Sequence, residues 1–118
     1  MIHTGNAFVK DGKFICDATI YTDNKVNVYE VFNFENLKKG LQKMHYGNFW
    51  RRFEIDLTKG ELTQKDLSSL KWGNYEVPTY NMMYDGVKEN CYTYLMELMS
   101  KQNMDKDYSW DMVKYDAC

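Results

Sequence analysis

Alternation of apolar and polar positions dominates the first third of the chain. In "KFICDATIYT", Phe14, Cys16, Ala18 and Ile20 fall on one side. Asp17, Thr19 and Tyr21 fall on the other, with Ile15 out of step. A period of two marks a half-buried strand. "AFV" precedes it across "KDGK", and Asp11-Gly12 predicts a hairpin turn because both residue types tolerate positive φ. "DNK" predicts a second turn and "VNVYEVF" a third strand. Three strands joined by tight turns make an antiparallel meander.

The period then lengthens. Phe34, Leu37, Leu41 and Met44 recur at helical spacing. Asn33 before them is a good N-cap, and Gly47 a left-handed stop. "NFWRRFEIDL" returns to strand alternation, with Phe49, Arg51, Phe53, Ile55 and Leu57 on one face and Arg52, Glu54 and Asp56 on the other. "ELTQKDLSSLKWG" predicts a second helix, with Thr63 as N-cap, Asp66 near the positive dipole end, a Leu62–Leu67 staple and Gly73 as terminator. "YEVPTYNMMY" reads as a strand that Pro78 places at an edge or a bulge. Asp85 then caps a third helix, "GVKENCYTYLMELMSKQ". Its core face is Val87, Cys91, Tyr94, Leu95 and Leu98, and Tyr92, Met96 and Met99 widen the apolar stripe. The tail "NMDKDYSWDMVKYDAC" fits a short helix or a closing strand. The pattern therefore predicts one α+β domain over residues 1–118. It has a mainly antiparallel sheet, an N-terminal three-stranded meander plus two further strands, with three helices.

Composition narrows the class. With 118 residues and 44% apolar content the chain can build one core. Aromatics reach 16%, ten of them tyrosines, so many rings can sit where one edge is wet. A net charge of −2 argues against a dedicated duplex binder and against a mimic of the phosphate backbone. The N-terminal residues show no apolar run of signal-peptide length, and no stretch approaches a transmembrane span. Three widely spaced cysteines, Cys16, Cys91 and Cys118, lack a CxxC pair. They read as reduced thiols in a cytoplasmic protein, Cys16 and Cys91 in the core and Cys118 exposed.

The candidate chemistry is concentrated in "KMHYGNFWRRF". Together with Lys38 and Lys39 it carries five positive charges and no negative one, Lys38, Lys39, Lys43, Arg51 and Arg52. His45, Tyr46, Phe49 and Trp50 are interleaved with them. Such a mixture suits a protein contact, where Trp, Tyr and Arg dominate, and it also suits phosphates and stacked bases. The plain alternative is a solvated helix face followed by core aromatics. On the strand, Arg52 and Trp50 share one face and are the better partner-binding candidates. Arg51 is expected at the sheet's end or paired with Glu35 or Glu76. Glu54, Asp56 and Glu61 could hold a divalent ion, but alternating charge on an exposed strand is the commoner cause. Cys16 or Cys91 with His45 or His3 carries no nucleophile signature, and phosphate loops and zinc knuckles are absent. No catalytic residue, metal ligand or cofactor is assigned.

In size and composition the chain resembles the small proteins of phages and mobile elements that bind and block a host protein. That resemblance implies a non-enzymatic inhibitor, in the host cytoplasm, acting by steric occlusion. The partner-binding set is Lys38, Lys39, Lys43, His45, Tyr46, Trp50 and Arg52. Tyr92, Met96 and Met99 are expected at a homodimer or partner contact. The alternative is binding of nucleic acid or a phosphorylated ligand through residues 38–52. An enzyme using the Glu54 and Asp56 face ranks last.

Overall fold

The structure, a computed structural model, describes residues 3–21, 33–38, 48–68, 74–98 and 110–118. It is built from strands. β1 (Thr4–Lys10), β2 (Lys13–Tyr21), β3 (Asn48–Asp56) and β4 (Leu62–Asp66) form one antiparallel sheet in that order. β5 (Asn74–Thr79), β6 (Tyr92–Leu98) and β7 (Trp110–Asp116) form a second. The expected α+β class with three helices is therefore corrected to an essentially all-β fold, with no helix of seven or more residues among those described. Among the described residues, what remains helical is α1 (Phe34–Lys38) and one 3-10 turn, Met82–Tyr84. No helix among the described residues is long and apolar enough to cross a membrane.

The first hairpin forms as its turn residues dictate. Asp11 and Gly12 take φ of 51° and 75°, the two left-handed positions of a tight turn. Asn33 caps α1, its side-chain oxygen accepting from the Glu35 N–H at 3.0 Å. The strand expected at 26–32 and the helix beyond Lys38 lie outside the described residues. Within the described part, β2 pairs along its whole length with β3, from Lys13↔Asp56 to Tyr21↔Asn48.

The predicted second helix is instead β4. Asp56 folds the chain back: its carboxylate accepts from the N–H groups of Thr58 and Lys59, both at 2.9 Å, and Gly60 takes a φ of 70°. Leu62–Asp66 then add to the edge of β3, with Ile55↔Leu62 and Arg51↔Asp66 in register. Thr63 caps nothing here. Local capping grammar is worth about 1 kcal/mol, and an available strand edge outbids it.

The predicted third helix is β6. Its inward side chains are Thr93, Leu95 and Glu97 and its outward ones Tyr92, Tyr94 and Met96, a period of two. Both faces carry apolar residues, so the helical and strand periods fit the same letters. Asp85 caps no helix; its carboxylate accepts from the Tyr80 hydroxyl at 2.9 Å. Pro78 does mark both an edge and a bulge: β5 is outermost, and its register slips between Glu76 and Thr79. Of the two readings of the tail, the closing strand is β7.

Pairing of β6 with β7 also corrects the cysteine reading. Tyr92↔Asp116 are opposite each other, so the residue before one strand meets the residues after the other. Cys91 and Cys118 form a disulfide there, with Cα atoms 5.1 Å apart. Cys16 is the one free thiol. The bond closes a separation of 27 residues. Cys118→Ser should therefore lower stability by about 3 kcal/mol, the usual worth of a loop of that size. Denaturant curves with and without reductant check it; identical midpoints would show that the bond contributes nothing.

The two sheets meet at a shared apolar cluster. Trp50 of β3 is wholly buried among Tyr75 and Leu95, with Leu67 and Tyr115 packed against them. Phe8, Ile15 and the polar residues Asp17 and Thr19 are buried as well. The alternation of β3 was read correctly, but the inward face is the one bearing Asn48, Trp50 and Arg52.

Candidate active site

At one end of the sheet contact, four side chains from both sheets converge. His3 directly precedes β1. Its backbone is tied to Thr19 of β2: the Thr19 N–H donates to the His3 carbonyl at 2.9 Å, and the Thr19 hydroxyl accepts from the His3 N–H at 3.1 Å. Thr19 is fully buried, so this anchor is dry. Two residues on, and on the same strand face, Tyr21 stands opposite Asn48 of β3. Both reach Glu76 of β5. The Tyr21 hydroxyl donates to Glu76 Oε1 at 3.1 Å and the Asn48 amide donates to the same oxygen at 2.9 Å. Glu76 Oε2 is left facing His3 Nε2, 3.1 Å away.

Asn48 does more than hold a carboxylate. Its amide also donates to the Tyr75 carbonyl at 3.0 Å, and its side-chain oxygen accepts from the Tyr75 N–H. A buried amide thus imitates a neighbouring strand and docks the edge of β5 onto β3.

Burial is the main influence on Glu76, and it pushes the carboxyl above its usual range. The donors Tyr21 and Asn48 and the His3 ring pull the other way. Tyr21 is pushed up to about 12, chiefly by burial and then by the Glu76 charge. It is accordingly a phenol donor throughout the physiological range. The His3 ring is 42% exposed at the side chain, against 16% for Glu76. One ring edge is held by a carboxylate and the rest is open. An imidazole oriented in this way can act as a base or as a metal ligand, since ligating histidines almost always give their other N–H to a carboxylate or carbonyl. Among the described residues no group of three or more His, Cys, Asp or Glu could hold a metal ion. His3 would be a single ligand among the described residues.

The residues singled out by sequence are placed as follows, where they fall among the described ones. Trp50 is a core anchor. Arg52 is mostly buried and paired, its Nε and Nη2 donating to Asp17 at 2.8 and 3.0 Å and its Nη1 to Glu89 at 2.9 Å. Trp50 has no exposed surface, and the Arg52 charge is met by two carboxylates. Arg51 is paired, with Asp66 rather than Glu35 or Glu76. Lys38 is exposed beside Glu35 and over the Phe34 ring. Lys39, Lys43, His45 and Tyr46 lie outside the described residues. Glu54 pairs with Lys13 at 2.9 Å and Asp56 closes a turn, so that face is structural. Tyr92 and Met96 are exposed, on the outward face of a strand rather than a helix stripe, and Met99 lies outside the described residues.

His3, Tyr21, Asn48 and Glu76 were missed as a group. Each has an ordinary local role in sequence: a His just before the first strand, two strand residues and a carboxylate two residues before a proline. Only the β2–β3 register and the docking of β5 bring them together.

Residues 1–117 match the family model described as retinal pigment epithelial membrane protein. No curated protein matches the chain. The chain belongs to that family. Membership points to an enzyme family and overturns the expectation of a phage-type, non-enzymatic inhibitor.

Proposed function

We propose, on the premise that this chain belongs to the retinal pigment epithelial membrane protein family, that it forms part of a carotenoid oxygenase-like enzyme and that His3 is a metal ligand oriented by Glu76. The observation that carries this reading is the His3–Glu76 pair at 3.1 Å, with the imidazole otherwise open. The chemistry of the pair fits a first-row transition metal, for which neutral imidazole is a favoured donor. When bound, such an ion supplies the open coordination positions at which an oxygenase handles dioxygen.

The chain's own residues have simpler tasks. Thr19 fixes where the His3 backbone lies. Glu76 accepts a hydrogen bond from Nε2–H, which keeps the second ring nitrogen as a lone-pair donor and raises its basicity. The buried sheet contact behind the pair keeps water from competing for Glu76.

Metal titration of the full-length protein tests the reading. His3→Ala should abolish high-affinity binding at one site. Glu76→Gln should weaken it about 10- to 100-fold, the usual cost of losing a ligand's orienting partner. Unchanged affinity in His3→Ala would remove the proposal.

A further inference from the structure

We propose that Tyr21 and Asn48 are positioning residues for His3, acting through Glu76. The inference rests on the reading of His3 and Glu76 as the functional pair.

A glutamate side chain can present either oxygen to a partner, and it can rotate away to a different one. Here the choice is made for it. Both donors, Tyr21 at 3.1 Å and Asn48 at 2.9 Å, converge on Oε1. Oε2 is the oxygen left for the imidazole. The root of the side chain is held as well, because Asn48 clamps both backbone polar groups of Tyr75, the residue before Glu76. Asn48 is fully buried, so water does not compete for these bonds.

The same sheet sets the other half of the pair. Thr19 holds the His3 backbone, and Tyr21, two residues further along the same face of β2, holds the carboxylate. Tyr21↔Asn48 is a direct cross-strand pair. Histidine and carboxylate are thus both referenced to one short stretch of paired backbone, although they come from different sheets. A site that needs its ligand held within a fraction of an ångström gains from such a common reference.

A purely structural role would satisfy Glu76 without affecting the imidazole. The two differ in the ring nitrogens of His3. The protein, ¹⁵N-labelled at histidine and free of metal, is examined in alkaline buffer by long-range ¹H–¹⁵N correlation. The His3 signals are assigned by their loss in His3→Gln. In the wild type the tautomer protonated at Nε2 should dominate. Tyr21→Phe keeps the ring and removes only the hydroxyl, so the fold should survive. The tautomer ratio should then fall about fivefold, the equivalent of one ordinary hydrogen bond. Glu76→Gln should change it further. A ratio that moves in Glu76→Gln but not in Tyr21→Phe overturns the positioning role and leaves the functional pair standing. Should neither variant move it, Glu76 does not orient His3, and both proposals fall.

Discussion

Trp50→Ala should cost about 3–5 kcal/mol, enough to unfold much of the population of a domain of ordinary stability. The indole is the largest fully buried side chain among the described residues and lies in the contact between the two sheets, with Tyr75 and Leu95. Its removal leaves a cavity that paired strands cannot collapse to fill. The packing is specific on the β1 side. A Cβ added at Gly5 would stand 2.5 Å from Trp50 Cη2, so glycine there makes room for the ring. Gly5→Ala alone should cost about 1–3 kcal/mol through overpacking. Combined with Trp50→Phe, which frees that space, it should cost much less than the sum. Urea denaturation of the four proteins measures this coupling. Additive losses would mean that Gly5 and the indole do not constrain each other.

Asp17→Ala should be the next most damaging change, at about 3 kcal/mol, because it strands a buried guanidinium. Asp17 is 4% exposed and takes both Nε and Nη2 of Arg52. Glu89 takes Nη1 and is itself held by Lys10 at 2.8 Å. The network joins β1, β2 and β3 to the segment before β6. Replacing both partners, Asp17→Leu with Arg52→Met, should recover most of the loss, since apolar isosteres carry no desolvation penalty. The pH dependence has a definite sign. Glu89 is held below its usual range, first by the Lys10 hydrogen bond and then by Arg52. Its contribution is complete above its unfolded pKa and disappears as pH falls through the lower folded value. Acid titration of stability should therefore show a loss that Glu89→Gln flattens. A loss of the same steepness in Glu89→Gln would place the acid sensitivity elsewhere.

The strands with one apolar face, β1 to β3, were legible because period two and a period near 3.6 select different residues there. Asp11-Gly12 specified its turn for the same kind of reason: few residues accept positive φ, so the letters carry the geometry. Asn33 as a cap and Pro78 as an edge and bulge marker belong with these. Each is a constraint within a few residues, and local sterics or one hydrogen bond settles it.

Where both faces are apolar, local information was not enough. "YTYLMEL" satisfies a helix and a strand equally, and "LTQKD" carries a helix cap that an open edge of β3 overrides. Which face of β3 turns inward was likewise undetermined, because Arg52 can be buried only once Asp17 and Glu89 are in place to neutralise it. The disulfide depends on the β6–β7 pairing and the candidate site on two registers and a docking between sheets. The sequence by itself determined the Asp11-Gly12 turn, the β1–β3 strands and the cap of α1. The tertiary structure decided the class of the second half, the face that became core, and the meeting of His3 with Glu76, because those outcomes rest on contacts between residues far apart in the chain.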